Sequence, residues 1–389
     1  MGKSRFLDEM IIVFLTPSLK NIGPTRQLMM LVQALLKKKY EVHIVTFPRS
    51  LVDNEKKNDF TRLGAKVHEL YRSKTSMLKN ILQLKNLINN LEADVVHSHL
   101  FYADLISALA LRGYRTVCTL RSIPIEELTL RYGVLIGYLV SVVHTWAVKQ
   151  IRTRVACSET VMRYYSSKGV ESFLIRNAVP SYLEHFYKSR RSLFYKQKAR
   201  EILKVPENVP LAIMVGSLDD RKNPIFIIEL FTRFLTLSPS AHLLIVGDGG
   251  LKNQCISKAK ANPQIRIEGF VVDVTPYYEA ADIILSSSVS EGLPNSIIEG
   301  ICANTPSLIS DIPQHRELEL ICPDLVMTCP STREIDGEIF KIWLGKLKKL
   351  LDMFERKPYD KHVDMPLEMR EVTMISHYEA TYIKGRRKE

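Results

Sequence analysis

Short apolar runs, each followed by a helical pattern, recur along this chain and then begin again at Leu211. No other feature limits the fold so strongly. In the first half the runs are IIVFL (11–15), EVHIVTF (41–47), AKVHEL (65–70), ADVVHSH (93–99), TVCTLRS (116–122), RVACS (154–158) and FLIRNAV (173–179). Helical patterns separate them, among them LMMLVQALLKKK (28–39) and residues 78–91. In the second half the runs are LAIMVG (211–216), HLLIVGDGG (242–250), IRIEGF (265–270), DIILSS (282–287) and PSLISD (306–311). Strands that alternate with helices form a parallel sheet covered on both faces. The expected fold class is therefore α/β, with two Rossmann-like parallel-sheet domains.

The segment 181–210 is polar and basic and closes on a Pro-rich turn, so it reads as the interdomain connection with a first helix. This predicts an N-terminal domain over 1–180 and a C-terminal domain over 181–370. A C-terminal helix in 371–389, with Tyr378 and Tyr382 at i, i+4 spacing, is expected to pack back on the N-terminal domain. Open parallel sheets bind ligands at the carboxyl ends of their strands. Two such sheets facing across a cleft would hold one ligand each, which suits group transfer between two bound molecules.

Composition narrows the partners. Residues 1–180 hold 26 Lys and Arg against 14 Asp and Glu, while residues 181–389 hold 28 of each, so the whole net charge of +12 lies in the first half. One-sided positive charge points to an anionic partner, with a solvated surface as the plainer alternative. The basic residues carry no aromatic-interleaved RNA motif, so nucleic acid is not expected. Six scattered cysteines without a C-x-x-C pair fit small core residues in a reducing compartment. No leader pattern is visible, which predicts a cytoplasmic protein. The longest apolar run, VLIGYLVSVVHTWAV (134–148), is shorter than the ~20 residues that span a bilayer. It reads as a buried helix, the alternative being a surface helix against lipid headgroups.

The stretch SVSEGLPNSIIEG (288–300) carries the most chemistry. Glu291 lies in the loop after a strand, and Glu299 falls on the following helix, on one face with Asn295. A buried carboxylate without a partner is expensive, so protein or ligand must answer each of them. Pro294 suits a helix start, whose amides favour a diphosphate, and carboxylates accept hydrogen bonds from sugar hydroxyls. Arg221 and Lys222 precede another helix and are poised for phosphate. Gly23 opens the first helix, where the backbone can approach an anion. His97 and His99 follow a strand of the first half and are candidates for touching an acceptor. Helix capping, a solvated turn and structural histidines are the respective alternatives. With no Asp-x-Asp triplet, no metal and no cofactor are expected.

The segment EGLPNSIIE (291–299) resembles the E-x7-E motif of retaining glycosyltransferases of family four, which have the two-domain GT-B fold. EGF, DVTPYYEAADI, ICANTPSLISDIPQHRE and NAVP are also similar to that family, and the likeness is densest over 211–319. The resemblance implies a role for each matching position. Glu299 would hold the ribose, Glu291 would contact the donor sugar, and Gly292, Leu293, Pro294 and Asn295 would surround sugar and phosphate. Lys222 would neutralise the diphosphate, Val271 would lie by the nucleobase, and Gly23 would approach from the opposite domain. Two positions depart from the pattern. Ser217 stands where an Arg is common, with Arg221 as its substitute, and Arg121 stands where many members have a His. A guanidinium is no base at neutral pH but can bind phosphate. Glu291, Lys222 and Arg121 would then be the catalytic groups.

The activity implied is retaining transfer of a hexosyl group from a nucleotide sugar, with UDP the expected carrier, to a lipid-linked saccharide in polysaccharide synthesis of the O-antigen or capsule type. An anionic membrane surface and a peripheral location at the inner face of the cell membrane follow from the basic half. A nucleotide-sugar epimerase, a phosphorylase on the same fold, and a non-catalytic sugar-nucleotide binder are the competing readings.

Overall fold

A computed structural model of the chain describes residues 10–71, 77–190, 192–331, 337–356 and 363–384. Two compact units emerge, one ending at Ala178 and regaining the segment from Glu371, the other running from Val179 to Arg370. In the first unit the order is β1 (Ile11–Thr16), α1 (Gly23–Lys37), β2 (Glu41–Thr46), α2 (Lys57–Leu63), β3 (Lys66–Glu69), α3 (Met77–Leu91) and β4 (Val95–His99). Next come α4 (Phe101–Ala110), β5 (Thr116–Leu120), α5 (Pro124–Tyr132), α6 (Val134–Gln150), β6 (Thr153–Ala156), α7 (Glu159–Ser166) and β7 (Phe173–Leu174). Every strand pairing is parallel, in the order β3-β2-β1-β4-β5-β6-β7.

The strands are apolar throughout because both faces of the sheet are covered. Along β1 successive side chains alternate: Ile12 and Phe14 enter the core with α1, while Ile11, Val13 and Leu15 enter the core with α3 and α4. The FLIRNAV run pairs with β6 at Phe173 and Leu174 and then leaves the sheet, its last residue Val179 bridging Arg370. Helix α6 forms where the sequence places it but is not a buried helix, since its outer face is exposed from Val134 to Trp146.

The second unit begins with α8 (Ser181–Ser189) and α9 (Leu193–Ile202). Then follow β8 (Leu211–Val215), α10 (Pro224–Phe234), β9 (His242–Val246), α11 (Lys252–Ala259), β10 (Ile265–Gly269) and α12 (Thr275–Ala280). The unit ends with β11 (Ile283–Ser286), α13 (Asn295–Cys302), β12 (Ser307–Ser310), α14 (Pro313–Ile321), β13 (Val326–Cys329) and α15 (Gly337–Arg356). Its parallel sheet runs β10-β9-β8-β11-β12-β13, which is the Rossmann order 3-2-1-4-5-6 counted within the unit. Strand β13, a four-residue VMTC segment, has no counterpart in the sequence reading, being too short to show periodicity. Its core joins Ala212 and Met214 of β8 to the aromatic cluster of Phe226, Phe340 and Trp343. All six cysteines are buried.

The last helix, α16 (Glu371–Ile383), belongs to the first unit. Met374, Ile375, Tyr378 and Tyr382 enter its core, and Glu379 takes Lys38 at 2.5 Å and the Tyr40 hydroxyl at 2.8 Å.

In the second unit two strand ends nearly touch. A Cβ at Gly247 would stand 1.7 Å from the Gly216 carbonyl oxygen, and its φ of +148° is one that side-chain-bearing residues avoid. Gly250, three residues on, has open space around it. Gly247→Ala should therefore lower stability by about 2 kcal/mol or more, while Gly250→Ala stays within about 0.5 kcal/mol of wild type. Urea denaturation of both variants checks this, and equal midpoints would refute the close approach.

Candidate active site

The strand order of the second unit reverses between β8 and β11, and ligands of such sheets bind at that point. Two loops meet there. In the loop after β8, Asp219 accepts from the Ser217 hydroxyl at 2.6 Å and from the Lys222 amide at 2.9 Å. Asn223 adopts left-handed backbone, φ 50°, so that Pro224 can open α10. The loop after β11 is tied to it: the Val289 amide donates to the Arg221 carbonyl at 2.9 Å, and the Ser287 hydroxyl donates to the Asn223 carbonyl at 2.7 Å. These ties fix the backbone on both sides, so the long side chains have one place to go.

That place is Glu291, which is 6 % exposed. Arg221 donates through Nη1 to Oε2 at 2.7 Å, and Lys222 donates through Nζ to Oε1 at 2.5 Å. Burial alone raises the carboxyl's pKa, but the Arg221 and Lys222 charges and the Lys222 hydrogen bond outweigh it and hold it well below the carboxylate range. Glu291 is thus answered by protein. Arg221 and Lys222, expected to face phosphate alone, share this carboxylate.

His315 and Gln314, on the first turn of α14, were missed by sequence reasoning. Both are fully buried. His315 Nδ1 lies 2.7 Å from the Ser310 carbonyl, which can only accept, so Nδ1 carries the proton. Its Nε2 has no hydrogen-bond partner, nor have the two side-chain amide atoms of Gln314. Burial pushes the imidazole down to about 4 even though the Glu291 charge pulls it up. A neutral acceptor therefore stands within electrostatic reach of Glu291. The visible signal was a polar pair straight after a helix-opening Pro, behind a strand.

Glu299 has different company. On α13, its Oε2 accepts from the Tyr278 hydroxyl of α12 at 2.9 Å. Helix α13 starts behind Pro294 without a side-chain cap, and Gly292, Leu293 and Asn295 make up its approach. Val271 is half-buried just beyond β10, between the exposed Phe270 and Val272. The sequence reading brought Glu291, Arg221, Lys222 and residues 292–295 to one strand-end region, and the structure places them there.

In the first unit Gly23 begins α1, whose N-cap Ile22 offers no side-chain hydrogen bond. The expectation that His97 touches an acceptor is corrected. It is wholly buried, with Nδ1 at 2.7 Å from the Tyr382 hydroxyl and Nε2 at 2.8 Å from the Thr119 hydroxyl. Both nitrogens are committed, so His97 ties α16 to the sheet. His99 is also buried, yet only its Nδ1 is engaged, by Arg121 Nη2 at 3.2 Å, and its Nε2 has no hydrogen-bond partner. Burial, then the neighbouring His97 and Arg121, keep His99 well below the usual histidine range. Arg121 also donates to Asn177 Oδ1 at 3.2 Å. Among the described residues no group of three His, Cys, Asp or Glu could hold a metal ion.

Doubly wound parallel sheets, one with a cation-held carboxylate eight residues before a second Glu, define a GT-B glycosyltransferase. The chain belongs to the glycosyltransferase families: Glycosyltransferase Family 4 matches residues 23–181 and Glycosyl transferases group 1 matches residues 195–320. It is similar to the UDP-Gal:alpha-D-GlcNAc-diphosphoundecaprenol alpha-1,3-galactosyltransferase of Escherichia coli, at 25 % identity over 73 % of this chain and 71 % of that protein. An uncharacterized glycosyltransferase of Methanocaldococcus jannaschii is 32 % identical over 37 % of this chain, a match spanning 34 % of that relative's length. The crystal structure of Anabaena HepE in complex with UDP superposes with a TM-score of 0.73 at 16 % identity, covering 96 % of this chain and all of that one. At that identity the likeness concerns the fold.

Two outcomes follow from these electrostatics. Glu291→Gln strands two cations at a buried site and should destabilise by about 3 kcal/mol at pH 7. Glu291's depressed pKa contributes stability above about 4.5 that is lost as pH falls through its folded value. The penalty should therefore shrink only in acid, as urea melts across pH will show. His315 is held near 4 against 6.5 when unfolded, so it too contributes stability above 6.5 that is lost as pH falls to 4. His315→Gln should flatten the stability slope in that window by up to ~1.4 kcal/mol per pH unit. An unchanged slope would contradict the neutral buried imidazole.

Proposed function

We propose that the chain is a retaining glycosyltransferase. It moves a hexosyl group from a nucleotide-diphosphate sugar, with UDP the favoured carrier, to a hydroxyl of a lipid-linked saccharide. The observation that carries this reading is the Arg221–Lys222–Glu291 cluster at the switch point of the second sheet. The E. coli relative is named for a UDP-Gal donor and a diphosphoundecaprenol-linked acceptor, which favours the same chemistry here. Glu299 binds the ribose, with Tyr278 fixing its carboxylate. Residues 292–295 approach the phosphates and sugar, Val271 lies by the base, and Gly23 and Arg121 are the ligand-binding candidates of the first unit. His99 Nε2 is the remaining histidine group for an acceptor hydroxyl.

In the reaction the bond from the anomeric carbon to the diphosphate oxygen breaks, and a bond to the acceptor oxygen forms on the same face. The acceptor's proton passes to the departing phosphate. Lys222 and Arg221 stabilise the charge that grows on that diphosphate, and Glu291 holds the two cations and contacts the sugar. The enzyme works in the cytoplasm against an anionic membrane, as a peripheral protein in polysaccharide synthesis.

The test begins with thermal shift across a panel of nucleotide sugars. One donor should stabilise the wild type, and Glu299→Ala should remove that shift. With that donor and a diphosphate-lipid-linked acceptor, Lys222→Ala should lower kcat by about 100-fold or more. Product anomeric configuration, read by NMR, should match the donor's. Epimerisation without acceptor, a requirement for free phosphate, or tight binding without turnover would each replace the reading with the corresponding alternative.

A further inference from the structure

Helix α6 of the first unit is apolar almost all round, yet one side of it lies open to solvent. Its inner side holds Gly137, Ser141, His144, Ala147 and Val148, so the larger apolar residues are left outside. His144 Nε2 pairs with the buried Asp104 of α4 at 3.0 Å, and the Ser141 hydroxyl turns back to the Tyr138 carbonyl at 2.7 Å. Gly137 lies so close to α5 that a Cβ would meet the Thr129 backbone at 2.5 Å. The outer face is apolar: Val134 is 80 % exposed and Leu135 73 %, and Ile136, Leu139, Val142 and Trp146 continue the stripe. The Asp104–His144 pair and the Gly137 contact fix which side faces out, so the apolar exposure is built in. A patch of this kind on a soluble surface marks an interaction site.

Charge selects the occupant. Residues 128–158 contain Arg131, Lys149, Arg152 and Arg154 and not one Asp or Glu. Arg131 stands before the helix, and Lys149 and Arg152 at its far end are exposed. Glu126 and Glu127 of α5 are the nearest preceding acids in sequence. Tyr138 and Trp146, with apolar rings and polar tips, lie on the outer face. No helix among the described residues is long and apolar enough to cross a membrane. An apolar stripe with interfacial aromatics and cations at both ends lies in the plane of a bilayer.

We propose that the outer face of α6 is the surface by which this protein docks on an anionic phospholipid membrane. The proposal rests on the lipid-linked acceptor reading for its biological purpose and names the surface that would serve it. Val134, Leu139, Val142 and Trp146 enter the headgroup region while Arg131, Lys149 and Arg152 meet lipid phosphates.

The chain has two tryptophans, and Trp343 is 1 % exposed, so a fluorescence change on docking reports Trp146. The full chain is mixed with phosphatidylcholine vesicles with and without phosphatidylglycerol, no donor or acceptor being present. Expected are co-flotation with anionic vesicles, a blue shift of tryptophan emission, and weakening with salt. Trp146→Phe should keep binding and lose the blue shift. The pair Leu139→Glu and Val142→Glu should cut binding by about tenfold or more while unfolding at the wild-type midpoint. Equal binding by that pair, or no blue shift, overturns the proposal. Self-association in sedimentation that this pair abolishes, without vesicle binding, overturns it in favour of a second copy of the chain. Donor-induced stabilisation is measured separately, so loss of the transferase reading leaves the vesicle result standing.

Discussion

Glu291 cannot remain an anion inside the second unit unless two cations reach it, and much of that unit's local design follows from the requirement. The Asp219 hydrogen bonds, the left-handed Asn223 and the Ser287 tie bring Arg221 and Lys222 to the carboxylate from a separate loop. Glycine at 216 matters for the same reason, because a Cβ there would stand 3.2 Å from the Lys222 stem. Taking the carboxylate away leaves two neighbouring cations without it, which is far more costly than losing a surface pair. Under the proposed donor reading, a diphosphate entering the site would meet cations already oriented by the protein, so little reorganisation would accompany binding.

The two glutamates of the E-x7-E segment occupy distinct environments although one short helix carries both neighbourhoods. Glu291 meets the Arg221 and Lys222 charges, and Glu299 accepts from the Tyr278 hydroxyl. His315 adds a neutral acceptor behind Glu291. Its proton is fixed on Nδ1 by Ser310, which leaves a polar atom for which the protein itself supplies no partner.

The alternation of strand and helix was legible because the strands are buried on both faces and read as continuous apolar runs. What escaped was short or contextual. β13 has too few residues for a period, and the FLIRNAV run leaves the sheet after Leu174. The run 134–148 read as a buried helix because hydropathy reports composition and not direction; only the partners of His144 and Gly137 reveal which face points out. At the site, residue types and spacing located Glu291, Glu299, Arg221 and Lys222. Sequence could not tell that the cations serve the carboxylate before any ligand does, since that depends on two loops distant in the chain. His97 was misread for a related reason: its partner Tyr382 lies 285 residues away.

Helix α16 has a bearing on how the protein is made. The core of the first unit contains Tyr378 and Tyr382, so it stays open until the ribosome has synthesised the whole of the second unit and then the last helix. The second unit has no such dependence and can close as soon as its own strands are out. Although translated later, it can reach its native state first, while the first unit waits with His97 and Thr119 unpartnered by the tyrosines. In that interval the α1 face of the first sheet lacks the part of its cover that α16 supplies, and chaperones would find their substrate there.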